Sequence, residues 1–266
     1  MVISLFLTLL ALVVVISGFA WSWRFGPDLV WIGGFGDAVI GWHWMLGLGL
    51  WAPLLVHVAR RWPRPRSTDF TGRRSALKLA ALTGAGLAGW QFAEALARLR
   101  ADPDQPRAVT GSRCLAPFAG NAMPVTLSLG ERELHIDPAM WRLQIVIDGM
   151  ATEVTYARLL ALPATELEAT LDCTSGWYSP QRWRGVLLSD LLAAVSAHPG
   201  PTAVRLIGQS GYNTLLAGDS ARDLLLATHL GNEPLATWHG FPVRAVAPAC
   251  RGWQWVKWLA RVEIIG

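Results

Sequence analysis

Charge is scarce in this chain. Of its 266 residues, 16% are Asp, Glu, Lys or Arg, against about 25% in an ordinary soluble domain. That deficit argues against a wholly soluble protein, a disordered chain and a coiled coil. Lysine is nearly missing: Lys78 and Lys257 are the only two among 23 cations. Cysteine is too rare for a disulfide framework. Cys114, Cys173 and Cys250 are the whole set, and none stands in a CxxC pair, which speaks against a zinc site. From residue 101 on, the glycine-rich fingerprints of nucleotide sites, the GxSxG elbow of serine hydrolases and the HExxH helix of zinc proteases are all missing.

What is present is apolar, at 52% hydrophobic, and unevenly charged. Residues 1–100 hold 10 Lys and Arg against 4 Asp and Glu, a net of +6, while residues 101–266 hold 13 against 15, a net of −2. The basic excess lies in the apolar half, so it speaks for membrane topology and against a nucleic-acid partner.

Residues 1–100 read as a membrane domain. Met1 to Trp23 carries no charge, with an apolar run from Leu5 to Ile16, long enough for a ~30 Å hydrocarbon core. A signal peptide is the competing reading, but a basic leader and a small-residue cleavage site are both missing. A second uncharged run, Ala38 to Ala59, lies between Asp37 and Arg60. A third, Leu79 to Ala93, is shorter and richer in Gly and Ala. Three spans are expected, at about residues 2–23, 38–60 and 76–98. The stretch Arg60 to Lys78 holds seven cations and one acid, Asp69, which places it in the cytoplasm. Three spans then put the N-terminus inside and residues 101–266 outside. Trp21, Trp23, Trp42 and Trp62 fall near span ends, where indoles favour the lipid interface. Arg73-Arg74-Ser75-Ala76-Leu77-Lys78 precedes the third run and resembles a twin-arginine export signal, which carries folded proteins; two topology-setting arginines are the plainer alternative.

His43 and His57 stand 14 residues apart in the second run. They lie about 40° apart around a helix, on one face. They could ligate a b-type haem only with histidines from another chain, because neither of the other runs contains one. Polar contacts inside the bundle are the preferred reading.

Asp102-Pro103-Asp104-Gln105-Pro106 marks a linker, 101–107, and residues 108–266 read as one domain. Strands are expected at Trp141–Ile147, turned by Asp148-Gly149, and at Leu167–Leu171, Ala203–Ile207, Leu224–His229, Phe241–Ala247 and Trp255–Ile265. Thr155 and Ser189 read as caps of short helices. Without regular βαβ alternation, the class is α+β.

Three fragments carry a resemblance. Leu171-Asp172-Cys173-Thr174-Ser175-Gly176-Trp177 with Trp183-Arg184-Gly185-Val186-Leu187-Leu188 comes first. Gly231-Asn232-Glu233-Pro234-Leu235 with His239-Gly240-Phe241-Pro242-Val243-Arg244 follows. Gly252-Trp253-Gln254-Trp255-Val256-Lys257-Trp258-Leu259 with Arg261-Val262-Glu263 closes the series. In this order they resemble the sulfite-oxidase-like molybdopterin oxidoreductases, over nearly all of residues 108–266. The whole chain is similar to membrane-bound bacterial members.

The resemblance implies a sulfite-oxidase-type molybdopterin-binding fold and a Mo-molybdopterin cofactor. It implies two-electron oxygen-atom transfer on a small molecule, with a membrane or extracytoplasmic electron-transfer partner. Cys173 matches the thiolate ligand of molybdenum, a soft donor suited to that metal. His239, Arg244 and Lys257 match the pterin-holding side chains, the last two as phosphate cations. Trp255 and Val256 would add backbone groups, Arg113 would lie against the cofactor, and Tyr212 would face the substrate. Two positions that carry substrate-binding arginines in sulfite oxidases hold Tyr178 and Gln254 here, which weakens the expectation of sulfite as substrate. Arg182 or Arg184 could compensate. The family's dimerisation domain and a cytochrome b5-like domain are expected to be absent. Cys114 and Cys250 match positions that flank the pocket, so a disulfide and two separate thiols both stand. The readings set against the enzyme are a haem electron-transfer module using His43 and His57, and a metal-free descendant of the same fold.

Overall fold

The computed structural model describes residues 2–23, 29–32, 35–61, 72–98, 108–114, 120–126, 131–174, 176–195 and 201–266. The expected linker 101–107, most of the basic stretch after Arg61, and Trp62 lie outside them. The chain divides into two compact units, 1–104 and 105–266.

In the first unit, α1 spans Val2–Trp23, a hairpin of β1 (Leu29–Ile32) and β2 (Phe35–Ala38) follows, and α2 spans Val39–Arg61. These helices wear their apolar side chains outward: Leu5, Phe6, Ile16, Trp44, Leu48 and Trp51 are all exposed. Gly18 lets α2 come close to α1, since a Cβ there would sit 2.9 Å from Cε1 of His43. The His43 Nδ1 lies 2.8 Å from the Val14 carbonyl and 3.3 Å from the Ser17 hydroxyl. His43 thus makes a polar contact to the neighbouring helix, and the indole of Trp42 donates to the Val30 carbonyl.

The third helix, α3, spans Arg73–Arg98. Two helices among the described residues, not the expected three, are long and apolar enough to cross a membrane: Ile3–Trp21 within α1, and α2. The physical reason is composition. Arg73, Arg74 and Lys78 lie in the first two turns of α3 and Glu94 and Arg98 near its end. Its middle, Leu79 to Ala93, is mostly Ala and Gly with Thr83 and Gln91.

The second unit is mixed helix and sheet, as its α+β reading requires. A short β3 (Arg113–Cys114) opens it. β4 (Arg142–Ile147) and β5 (Met150–Thr155) form a hairpin through Asp148-Gly149. Both turn residues have positive φ, 51° and 79°, the geometry of a tight two-residue hairpin. Thr155 caps α4 (Tyr156–Leu160), its hydroxyl accepting from the Arg158 N–H at 3.1 Å. β6 (Thr165–Cys173) and β7 (Trp177–Leu187) form the longest hairpin. α5 spans Leu188–Val195, so Ser189 lies inside the helix instead of capping it. β8 (Ala203–Gly208), β9 (Asn213–Ala217), α6 (Gly218–Ala221), β10 (Leu225–Leu230), β11 (Glu233–Pro234), β12 (Arg244–Val246) and β13 (Leu259–Ile265) complete the chain. The strand expected from Trp255 begins only at Leu259, because residues 252–254 form a 3-10 turn.

One sheet runs β11-β10-β7-β3, with β6 on β7 and β12 on β10. The other runs β5-β4-β13-β8-β9. In the second sheet β13 lies parallel to β4 and antiparallel to β8. Trp141, Trp183 and Trp258 are each no more than 1% exposed and anchor the core. Each indole N–H finds a carbonyl, on Leu259, Ala169 and Thr237 respectively, as burial of a polar tip demands.

Candidate active site

Cys173 is placed by the pleat of β6. Ala169, Leu171 and Cys173 share the inward face, two residues apart. Its register partner across the hairpin is Trp177. The strand end is tied down by its neighbour. The Asp172 carboxylate accepts from the hydroxyls of Thr110 (2.7 Å) and Ser112 (2.6 Å) and pairs with Nε of Arg251 at 3.3 Å. Gly252 packs against the same strand, where a Cβ would sit 2.7 Å from the Asp172 carbonyl. Asp172 therefore joins segment 108–114, the Cys173 strand and the 252–254 turn.

A cavity of about 70 Å³ opens beside the thiol, lined in part by Cys173, Thr174, Tyr212, Trp253, Glu131 and Lys257. The Tyr212 hydroxyl donates to the Trp253 carbonyl at 2.6 Å. Burial, then the Glu131 charge, pushes its pKa up.

The expected cations are inside the protein. Arg244 is 1% exposed, its terminal nitrogens reaching the His239 carbonyl (3.3 Å) and the Thr126 hydroxyl (3.5 Å). Desolvation lowers its pKa to about 10, against the raising effects of Glu131 and Cys173. Lys257 donates to the Thr126 carbonyl (2.6 Å) and to Oε2 of Glu131 (2.7 Å), and its Nζ lies 4.4 Å from the Trp258 ring centroid. Burial draws the ammonium down to about 8 although Glu131 raises it. His239 closes a 3-10 turn with Nε2 at 3.3 Å from the Asn121 carbonyl. Burial, followed by the Arg244 charge, lowers it to about 4, so the ring is neutral at pH 7.

Other expected residues are placed less directly. Trp255 lines the cavity, but its backbone N–H already donates to the Gly252 carbonyl and its indole to Ala247. Val256 is fully buried, and its carbonyl accepts from the Ala245 N–H. The Arg113 backbone lies in β3 opposite Trp177, and its side chain is outside the described residues. Cys114 and Cys250 are both thiols. Glu131 and Asp172 are the residues sequence reasoning missed. A lone acid before an unassigned segment carries no signal. Asp172 stood next to the cysteine, and that adjacency was its only mark.

The family described as "Oxidoreductase molybdopterin binding domain" matches residues 130–266, just over half of the chain. The chain belongs to this family. Among its relatives, mitochondrial sulfite oxidase of Rattus norvegicus is 27% identical over 180 residues, covering 55% of this chain and 32% of the relative. The uncharacterized oxidoreductase YuiH of Bacillus subtilis (strain 168) is 29% identical over 142 residues, covering 52% and 71%. An NAD(P)H nitrate reductase of Hordeum vulgare is 41% identical over 103 residues, covering 34% and 12%. The chain thus spans about a third of the sulfite oxidase it matches. The sulfane dehydrogenase SoxCD of Paracoccus pantotrophus overlaps in structure with a TM-score of 0.46 at 26% identity, covering 50% of this chain and 40% of that one.

The described residues fit a molybdopterin. Three buried polar atoms lack a hydrogen-bond partner here: the donors Nε of Arg244 and Nε1 of Trp177, and Nδ1 of His239, an acceptor because Nε2 gives its hydrogen to the Asn121 carbonyl. Orphaned buried polar atoms are costly unless something answers them. Two buried cations face one carboxylate, Glu131, so the pocket carries the charge excess that a phosphate-bearing group requires. Buried Cys173 adjoins them and raises the pKa of both cations.

Proposed function

We propose that the protein is a membrane-anchored molybdopterin-dependent oxidoreductase whose 108–266 domain works outside the cytoplasm. The observation that carries this reading is the buried trio of Cys173, Arg244 and His239, with a polar nitrogen on each of the last two left without a hydrogen-bond partner. Molybdenum, when bound, supplies two-electron chemistry between its +VI and +IV states, as oxygen-atom transfer demands. Cys173 would be its protein ligand. Arg244 offers a planar fork to the pterin phosphate, and neutral His239, whose Nε2–H faces the Asn121 carbonyl, can accept at Nδ1. Lys257 has used two of its three donors and keeps one for the same group. Tyr212 gives its proton to the Trp253 carbonyl and so presents lone pairs to a substrate. Electrons would pass to or from a partner in or beside the membrane.

The outward-facing helices α1 and α2 support anchoring. The side is argued from Arg73 and Arg74, which open α3 ahead of a mildly apolar Gly/Ala stretch suited to an export signal. Changing both to Lys should leave the 108–266 domain undelivered, as read by protease access in spheroplasts. Delivery at the wild-type level would overturn the export reading.

The deciding experiment is elemental analysis of the detergent-purified protein, with fluorescence of the oxidised pterin. About one molybdenum and one pterin per chain are expected. Folded protein lacking both, from a host that makes the cofactor, would overturn the reading.

A further inference from the structure

We infer that the cavity beside Cys173 selects uncharged substrates, and that Glu131 is the residue that turns oxyanions away. This rests on the reading of that cavity as the active site. Sulfite and nitrate, which name the relatives, are both oxyanions, and a site for an oxyanion needs a cation with donors to spare.

Lys257 is the only cation among the described residues lining the cavity. Its charge is answered by Glu131 at 2.7 Å, in a pair whose side chains are only 8% and 7% exposed, and its one remaining donor is the one kept for the pterin phosphate. Arg244 is sealed inside the core and held by His239 and Thr126. Arg251 is paired with Asp172.

The two positions that would hold substrate arginines by resemblance do not replace them. Tyr178 is buried on β7, and the Gln254 side-chain oxygen accepts from the Arg251 N–H at 3.2 Å. Arg182 and Arg184 do not compensate. They project from the exposed face of β7, alternating with buried Gln181 and Trp183, and their register partners are Glu168 and Glu166. Segments 115–119 and 127–130 and residue 175, outside the described residues, contain no ionisable side chain.

Among the described side chains, an oxyanion entering the cavity would therefore meet a carboxylate and no available guanidinium. Placing like charges together works against the wrong ligand as effectively as a new contact favours the right one. What remains for a substrate is the phenol of Tyr212 and the indole of Trp253, surfaces that suit an uncharged molecule.

The test titrates detergent-purified holoenzyme, with its molybdenum and pterin measured, with sulfate as a redox-inert oxyanion. Tryptophan fluorescence follows binding, because Trp253 and Trp255 wall the cavity. Glu131→Gln is expected to bind sulfate at least ~10-fold more tightly than wild type. Thr174→Arg, which adds a guanidinium at an exposed position of the wall and leaves Glu131 alone, is expected to gain in the same direction. It decides the matter should Glu131→Gln fail to fold or load. Wild-type holoenzyme that turns over sulfite or nitrate with micromolar saturation would overturn the inference. So would sulfate affinity unchanged in both variants. Wild-type protein with no molybdenum or pterin fails the reading of the site itself and takes the inference with it. Loaded protein that already binds sulfate as tightly as Glu131→Gln fails the inference alone.

Discussion

His43 and His239 show how differently the two units treat a polar side chain. His43 is half-buried between helices whose leucines and tryptophans face outward, and its ring reaches a backbone carbonyl of the neighbouring helix. His239 is 1% exposed in a domain whose Trp141, Trp183 and Trp258 face inward, and its Nδ1 has no hydrogen-bond partner. In the first unit the polar atom joins two helices through one backbone carbonyl. In the second it is kept at the cost of a buried nitrogen left unpaired. The contrast separates residues retained for packing from residues retained for chemistry.

The sharpest way to test that division is Cys173→Ser. Hydroxyl is a hard, poorly ionised substitute for a thiolate, so activity should fall by at least ~100-fold while the melting temperature barely moves. Full activity in that variant would remove Cys173 from the site. Arg244→Met comes next. A structural cation would be missed by the fold, but a desolvated one awaiting a phosphate is a burden on it. Pterin content should drop at least ~10-fold, and the unfolding midpoint of cofactor-free protein should hold or rise. A large loss of stability would move Arg244 to the packing side of the comparison.

The third test is acid. His239 titrates near 4 in the folded domain, below its ordinary 6.5. The unfolded chain therefore binds more protons between those values, and stability falls as pH drops from 6.5 towards 4, by at most about 3 kcal/mol. Denaturant midpoints at pH 7.0 and 5.0 measure it, and His239→Asn should flatten the slope. An equal slope in both proteins would assign the acid loss elsewhere.

The smallest effect belongs to the helices. Gly18→Ala forces His43 to shift and should weaken the α1–α2 contact by about 1 kcal/mol. Energy transfer between dyes at the two helix ends, followed through a denaturant titration, reads it. No change would mean the helices are held apart from this contact.

The same contrast explains what could be read before the structure. α1 and α2 follow from uncharged length, the β4–β5 turn from Asp148-Gly149, and the start of α4 from Thr155. Each is local chemistry. β7 was overlooked because Pro180 and Gly185 interrupt its pattern. In the sheet, β3 and β10 flank β7 at residues 177–178 and 183–187, leaving Pro180 paired only with β6, where its missing N–H is no loss. Cys173, His239, Arg244 and Lys257 were legible through the three fragments. Glu131 was not, because what it does depends on Lys257, 126 residues away. The third helix forms where the third run was expected, but its glycine and alanine leave it less apolar than α1 and α2.

The position of β13 bears on how such a domain comes to exist in a cell. It lies at the centre of its sheet, between β4 and β8, yet a ribosome makes it after every other strand described. Until it emerges, β5-β4 and β8-β9 are two hairpins with a gap where their shared neighbour belongs. Contacts closed across so much sequence form slowly. The nascent chain therefore presents open strand edges throughout its synthesis, and chaperones that shield such edges should govern the yield of this protein more than its final stability does.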